Sequence, residues 1–263
     1  MPASSLRPGL VSITFRGLAA EEVLREAVAA GLEGIEWGGD VHAPHGDLAA
    51  AERIGHATRD AGLALPTYGS YLRAGAGGPG QPPVAAVIAS AAALGAADVR
   101  VWAGGTGSAE AEPADRAAVA AGLREACDRA ADAGLGVALE YHAGTLTDTA
   151  DSCLALLDAV DRPNLSTLWQ TTNGASDAHS LATLRRLQPR VRHAHVFEWD
   201  TGAADQRPLA AGADRWRRFL GELAAPGVER FCLMEFVRGG TLGQFHADAA
   251  TLKGWLAGTH PPA

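Results

Sequence analysis

Four short runs in this chain end an apolar stretch on a residue able to do chemistry. They are "LEYH" (139–142), with Glu140 and His142; "LSTLWQ" (165–170), ending on Gln170; "VRHAHVFEW" (191–199), carrying His193, His195 and Glu198; and "LMEF" (233–236), with Glu235. A carboxylate at the end of an apolar run is costly to bury alone. Two carboxylates, an imidazole and an amide oxygen gathered around one divalent cation would satisfy one another. A donor set of mostly oxygen with one nitrogen and no thiolate suits Mn²⁺ first, then Mg²⁺ or Co²⁺. Glu140, Gln170, His195 and Glu235 are therefore the candidate metal ligands, with Glu140 and Glu235 the candidate acid/base pair. His42, Trp102, His142 and Arg207 are candidates for contact with substrate hydroxyls or ring faces. Plainer readings stand beside these. His193 reads as a hydrogen-bonded core histidine, and Glu36 as a partner for Arg16. Arg100 and Arg192 could neutralise Glu140 or Glu235 with no metal at all. Trp37, Trp102 and Trp169 are either mouth packing or an apolar wall for a sugar ring. No compact HExxH or CxxC spacing decides the matter.

These residues need a frame that brings distant strand ends together. Strand-like runs fall at 10–15, 34–37, 64–70, 99–104, 136–142, 165–170, 191–199 and 231–236. Between them lie helical stretches such as "AAEEVLREAVAAG", "DLAAAERIGHATRDAG" and "DRAAVAAGLREACDRAADAG". Several end on Gly, as a helix C-cap does. Strand and helix alternating eight times in about 250 residues predicts an α/β fold, a (β/α)₈ TIM barrel. In that fold catalytic groups sit at the C-terminal strand ends. A doubly wound sheet is the rival, but the first strand runs into "RGLAAEE" with no glycine-rich phosphate loop. "GGPGQPP" (77–83) reads as a loop over the mouth, and with no linker, residues 1–263 read as one domain.

The bulk composition narrows the function. The chain has 263 residues, is 47% hydrophobic and carries 22 basic against 30 acidic side chains, a net charge of −8. An acidic chain without a basic run is a poor match for nucleic acid. The three cysteines, widely spaced in apolar segments, read as free thiols of a reducing, cytoplasmic compartment. The N-terminus lacks a signal-peptide apolar region, and no run is long enough to span a membrane.

The chain resembles the sugar phosphate isomerase/epimerase superfamily, the xylose isomerase-like TIM barrels. The resemblance is carried by "GLEGIEWGGDVH", "LEYHAGTLTDTADSCLALLDAVDRPNLSTLWQ", "HVFEWD" and "PLAAGADRWRRFLGELAAPGVERFCLMEF". It implies a metal-dependent enzyme acting on a small sugar or keto-polyol, with ligands at Glu140, position 170, His195 and Glu235. The superfamily's usual Asp and following His at the sixth strand are Gln170 and Asn173 here. The implied reaction is isomerisation or epimerisation through an enediolate. A keto-inositol-type dehydratase on the same site, and a metal-free sugar-binding accessory subunit, are the alternatives. A DNA repair endonuclease shares the barrel but uses more His, Asp and Glu ligands. A homo-oligomer is compatible with all of these.

Overall fold

The computed structural model describes residues 6–76, 80–199, 201–225 and 227–258. Eight strands, β1 (Leu6–Val11), β2 (Gly34–Gly38), β3 (Thr67–Arg73), β4 (Asp98–Trp102), β5 (Gly136–Glu140), β6 (Leu165–Trp169), β7 (Val191–Val196) and β8 (Arg230–Met234), pair in parallel in chain order. The ring closes where β1 pairs with β8. Between and after the strands run α1 (Ala20–Ala29), α2 (Leu48–Asp60), α3 (Val84–Leu94), α4 (Pro113–Asp132), α5 (Ala150–Val160), α6 (Asp177–Leu187), α7 (Ala213–Leu223) and α8 (Leu242–Gly258). This is the TIM barrel that the alternation predicts. No helix among the described residues is long and apolar enough to cross a membrane.

The first strand lies earlier than expected. It spans Leu6–Val11, and Ser12–Phe15 forms a 3₁₀ turn instead. The strand runs through Pro8 because pairing with β2 begins only at Gly9, so the missing N–H of Pro8 breaks no ladder bond there. Part of the 77–83 patch lies outside the described residues. Gln81, in the described part of the patch, accepts from the backbone N–H of Arg73 at 2.9 Å.

Two tryptophans tie the barrel to its helices. Trp37 donates to Thr58 Oγ1 of α2 at 3.0 Å. Trp169 meets Trp216 and Phe219 of α7, ring centroids 6.4 and 5.3 Å apart, edge to face. Burial pushes the thiols of Cys127, Cys153 and Cys232 up to about 12, so they stay protonated as free cysteines. At the N-terminal end of the barrel, Asp98 accepts from Arg192 at 2.9 Å and lies 3.5 Å from His193 Nε2. Burial alone would raise the Asp98 carboxyl, but His193 and Arg192 outweigh it and hold it below its usual range. His193 Nδ1 accepts the Phe231 N–H at 3.1 Å, which makes it the hydrogen-bonded core histidine the sequence suggests.

Candidate active site

Alternation along each strand decides which side chains enter the mouth. On β6, Trp169 turns out to α7, so Gln170 turns in. On β4, Arg100 and Trp102 share parity and both face inward. The result is a buried chain of polar groups contributed by β2, β4, β5, β7 and the ends of β6 and β8: Glu36, Arg100, Glu140, His195, Gln170 and Glu235.

Arg100 is the hub. Its Nε donates to Glu36 Oε1 at 2.8 Å and its Nη1 donates to Glu140 Oε2. Gln170 Nε2 donates to the other Glu140 oxygen at 3.0 Å, and Gln170 Oε1 lies 3.3 Å from His195 Nδ1. With no cation between the two side chains, this amide orientation avoids setting the amide oxygen against a carboxylate. His195 Nδ1 is also 3.3 Å from Glu235 Oε2, and its Nε2 is 3.3 Å from Glu36 Oε2. Burial disfavours every charge in this chain, and the partners overcome it. Burial would raise Glu36, yet Arg100 and His195 bring it down to about 2. Burial would lower His195, yet Glu235 and Glu36 raise it to about 10. Glu140 is lowered by Arg100 against its own burial, and Arg100 is held protonated by Glu140 and Glu36.

Above this layer opens a cavity of about 270 Å³. Arg100, Glu140, Gln170 and Glu235 reach it from below. Its walls are aromatic. Trp102 stacks on His142 with centroids 4.4 Å apart, and Trp199 stacks between Phe197 at 4.2 Å and Phe236 at 5.5 Å. Asn173 fixes the second wall by accepting from Trp199 Nε1 at 2.7 Å. At the rim, Arg16 binds both Asp40 and the Tyr71 hydroxyl. Phe236, directly after Glu235, has φ of 60°, a left-handed conformation that a phenylalanine adopts only when its surroundings impose it.

A family model described as "Xylose isomerase-like TIM barrel" matches residues 24–256. The chain belongs to this family. Its sequence similarity to a curated relative is more local. A 3-dehydroshikimate dehydratase from Bacillus anthracis is 34% identical over 103 residues, 37% of this chain and 35% of that relative's length. Among solved structures, a probable 3-DHS dehydratase, AsbF, from Bacillus anthracis superposes with a TM-score of 0.78 at 22% identity, covering 94% of this chain and 98% of the other. A 3-keto-D-glucoside 4-epimerase from E. coli gives 0.70 at 16% identity, covering 96% and 99%. A xylose isomerase-like TIM barrel protein from Mycobacterium smegmatis in complex with magnesium gives 0.71 at 17% identity, covering 97% and 98%. At these identities the superpositions establish the fold.

Within this xylose isomerase-like barrel, Glu140, Gln170, His195 and Glu235 come together as expected, and Trp102 and His142 line the cavity. Two expected substrate contacts do not. His42 is buried behind the β2 loop, with Nδ1 2.9 Å from Ser12 Oγ and Nε2 3.2 Å from the Leu18 carbonyl, so it braces the first loop. Arg207 lies outside the cavity and donates to the buried Glu198 at 2.9 Å, where Arg215 also binds. Of the three tryptophans weighed for the mouth, only Trp102 reaches it. Arg16 pairs with Asp40, not Glu36, and Arg192 serves Asp98 at the far end. Sequence reasoning missed Tyr71 and the Phe197–Trp199–Phe236 wall. The parity of Arg100 with Trp102 was the available signal for a central arginine.

The expected metal does not fit the donors as they stand. Both Glu140 oxygens accept hydrogen bonds, and His195 meets an acceptor at each ring nitrogen. Among the described residues, no three His, Cys, Asp or Glu side chains are arranged as metal ligands. Manganese in particular has no support. Magnesium belongs to one structural neighbour, not to any observation on this chain.

Proposed function

We propose that this barrel is a lyase that removes a proton next to a carbonyl in a small polyhydroxylated substrate and expels a β-hydroxyl as water. One observation carries the reading. Glu235 reaches the cavity with His195 as its one ion-pair partner among the described residues, whereas Glu140 is fully engaged. That makes Glu235 the less engaged carboxylate and the candidate base, with the imidazole of His142 in the same cavity on the aromatic wall. Such an unlike pair suits elimination. Glu235 takes the proton from the α-carbon. The electron pair moves onto the carbonyl oxygen, where Arg100, which lines the cavity, stabilises the charge. It then returns to break the β carbon–oxygen bond, and the hydroxyl leaves as water with a proton from His142. The aromatic walls fit the faces of a six-membered ring. The named dehydratase relative supports this chemistry, and 3-dehydroshikimate is the first substrate to test, since its dehydration leads to an aromatic ring.

A second reading, the isomerase or epimerase expected from the sequence, has one observation in its favour. Glu140 also lines the cavity, three strands round the ring from Glu235. A substrate oxygen that drew Arg100 off Glu140 would leave two opposed carboxylates. The experiment is incubation with 3-dehydroshikimate and with a panel of keto-polyols in D₂O. Growth of an aromatic ultraviolet absorbance supports the lyase. Deuterium in a carbon that keeps its hydroxyl supports the epimerase. Neither product nor exchange with any member would refute both.

A further inference from the structure

The hub of the mouth is an arginine in a place where its strand neighbours were expected to gather a metal. We infer that the Arg100 guanidinium is the resident cation of this site and substitutes for a divalent ion, so that the protein binds no divalent metal there in the micromolar range. Three features of geometry converge on this. Glu140, the strand-end carboxylate expected to bind a cation, spends one oxygen on Arg100 Nη1 and the other on the Gln170 NH₂. Gln170 itself points its nitrogen, not its oxygen, at Glu140, so it acts as a donor within the cluster. The third feature is the space kept for the guanidinium. Gly69 faces it, and a Cβ there would sit 3.0 Å from Arg100 Nη2 and 2.7 Å from Glu36 Oε1. Bare backbone is what lets the guanidinium lie between the two carboxylates.

Arg100 Nη2 is buried and has no acceptor among the described residues. A buried guanidinium donor left without a partner is costly. The Arg100 side chain also lines the cavity, so its charge acts on an oxyanion bound there, and this part rests on the elimination proposed above. Arginine remains charged at all accessible pH, so this positive pole is permanent. Its planar fork also differs from a metal in holding two carboxylates and a substrate oxygen at fixed angles.

The test is a titration of metal-depleted protein with Mn²⁺, reading the free-ion electron paramagnetic resonance signal. It detects metal directly and does not depend on which substrate is turned over. The parent protein and Arg100→Lys should leave the signal unbound through the micromolar range. Arg100→Met removes the cation from Glu36 and Glu140, and should bind Mn²⁺ at least about tenfold more tightly than the parent, by simple Coulomb attraction. One Mn²⁺ held per parent chain in that range overturns the inference, as does a folded Arg100→Met protein that binds no better. If Arg100→Met fails to fold by circular dichroism, the parent and Arg100→Lys titrations decide alone.

Discussion

Replacing Glu36 by Gln isolates the electrostatics of the mouth, because Glu36 touches both of its cations. The carboxylate is fully buried, accepts from Arg100 Nε at 2.8 Å and lies 3.3 Å from His195 Nε2. Arg100 and His195 bring its pKa from the ordinary 4.5 to about 2 against its own burial, which corresponds to roughly 3 kcal/mol of preference for the charged form in the folded state. Removing one partner of a buried pair independently suggests about 3–5 kcal/mol. The sign follows from linkage. A carboxyl depressed on folding adds stability that is complete above its unfolded pKa and is lost as pH falls toward its folded pKa. With the two values above, about 2 of the 3 kcal/mol is gone by pH 3. Urea unfolding at pH 7 should therefore place Glu36→Gln about 3 kcal/mol below the parent, with the gap closing as pH is lowered through the range where the parent stays folded. A gap under about 1 kcal/mol at pH 7, or one that widens in acid, would refute the account of Glu36 as the shared counter-ion.

Three further outcomes follow from other parts of the molecule. Glu235→Gln should stay folded, with a lowered urea midpoint because the buried His195 loses its counter-ion, and should lose at least about 100-fold in kcat, the usual scale for a general base, in whichever substrate assay succeeds. Asp98→Asn, at the opposite end of the barrel, should leave kcat unchanged. Because Asp98 is held below its usual range by His193 and Arg192, its contribution is present above the unfolded carboxyl pKa and lost in acid, so the variant's thermal-unfolding deficit at pH 7 should shrink toward pH 3. Phe236→Gly relieves a left-handed φ worth about 1–2 kcal/mol but removes one leaf of the aromatic wall. It should raise KM well beyond any fall in melting temperature, and an unchanged KM would show that the wall does not hold substrate.

How much of this was readable in the sequence depends on which force decides each feature. The barrel was legible because strand and helix periods alternate plainly, and its boundary error came at the first strand, which begins at Leu6 and passes through Pro8, whose missing N–H falls where the ladder needs none. Gln170, His195 and Glu235 were legible because each ends an apolar run whose parity is fixed by burial. Trp37, Trp102 and Trp169 look alike in sequence, yet only one faces the cavity, since a tryptophan suits either face of a strand. His42 and Arg207 were misplaced for a different reason. Both sit on loops, and loop side chains are claimed by whichever buried partner is nearest, here Ser12 and Glu198. The aromatic wall was invisible because Phe236 follows β8 and meets Phe197 and Trp199, which follow β7, only once those two strands pair.

The departure at position 170 and the arginine at position 100 then explain each other. A carboxylate at 170 would face Glu140 across 3 Å, and two negative groups at that distance need a cation between them. An amide there removes the need and turns the contact into a hydrogen bond. Glu140 is thereby left with one oxygen for Arg100, and Arg100 spans to Glu36, which in turn orients His195 toward Glu235. The chain from Gln170 to Glu235 is continuous, and every member is either paired or opens onto the cavity. Phe236 completes it from above, since the strained residue that begins the aromatic wall follows Glu235 directly, with its N–H held by Thr14 Oγ1 at 3.0 Å. The backbone that aims the base is therefore also the backbone that sets the wall, which couples proton abstraction to how a ring is seated over it.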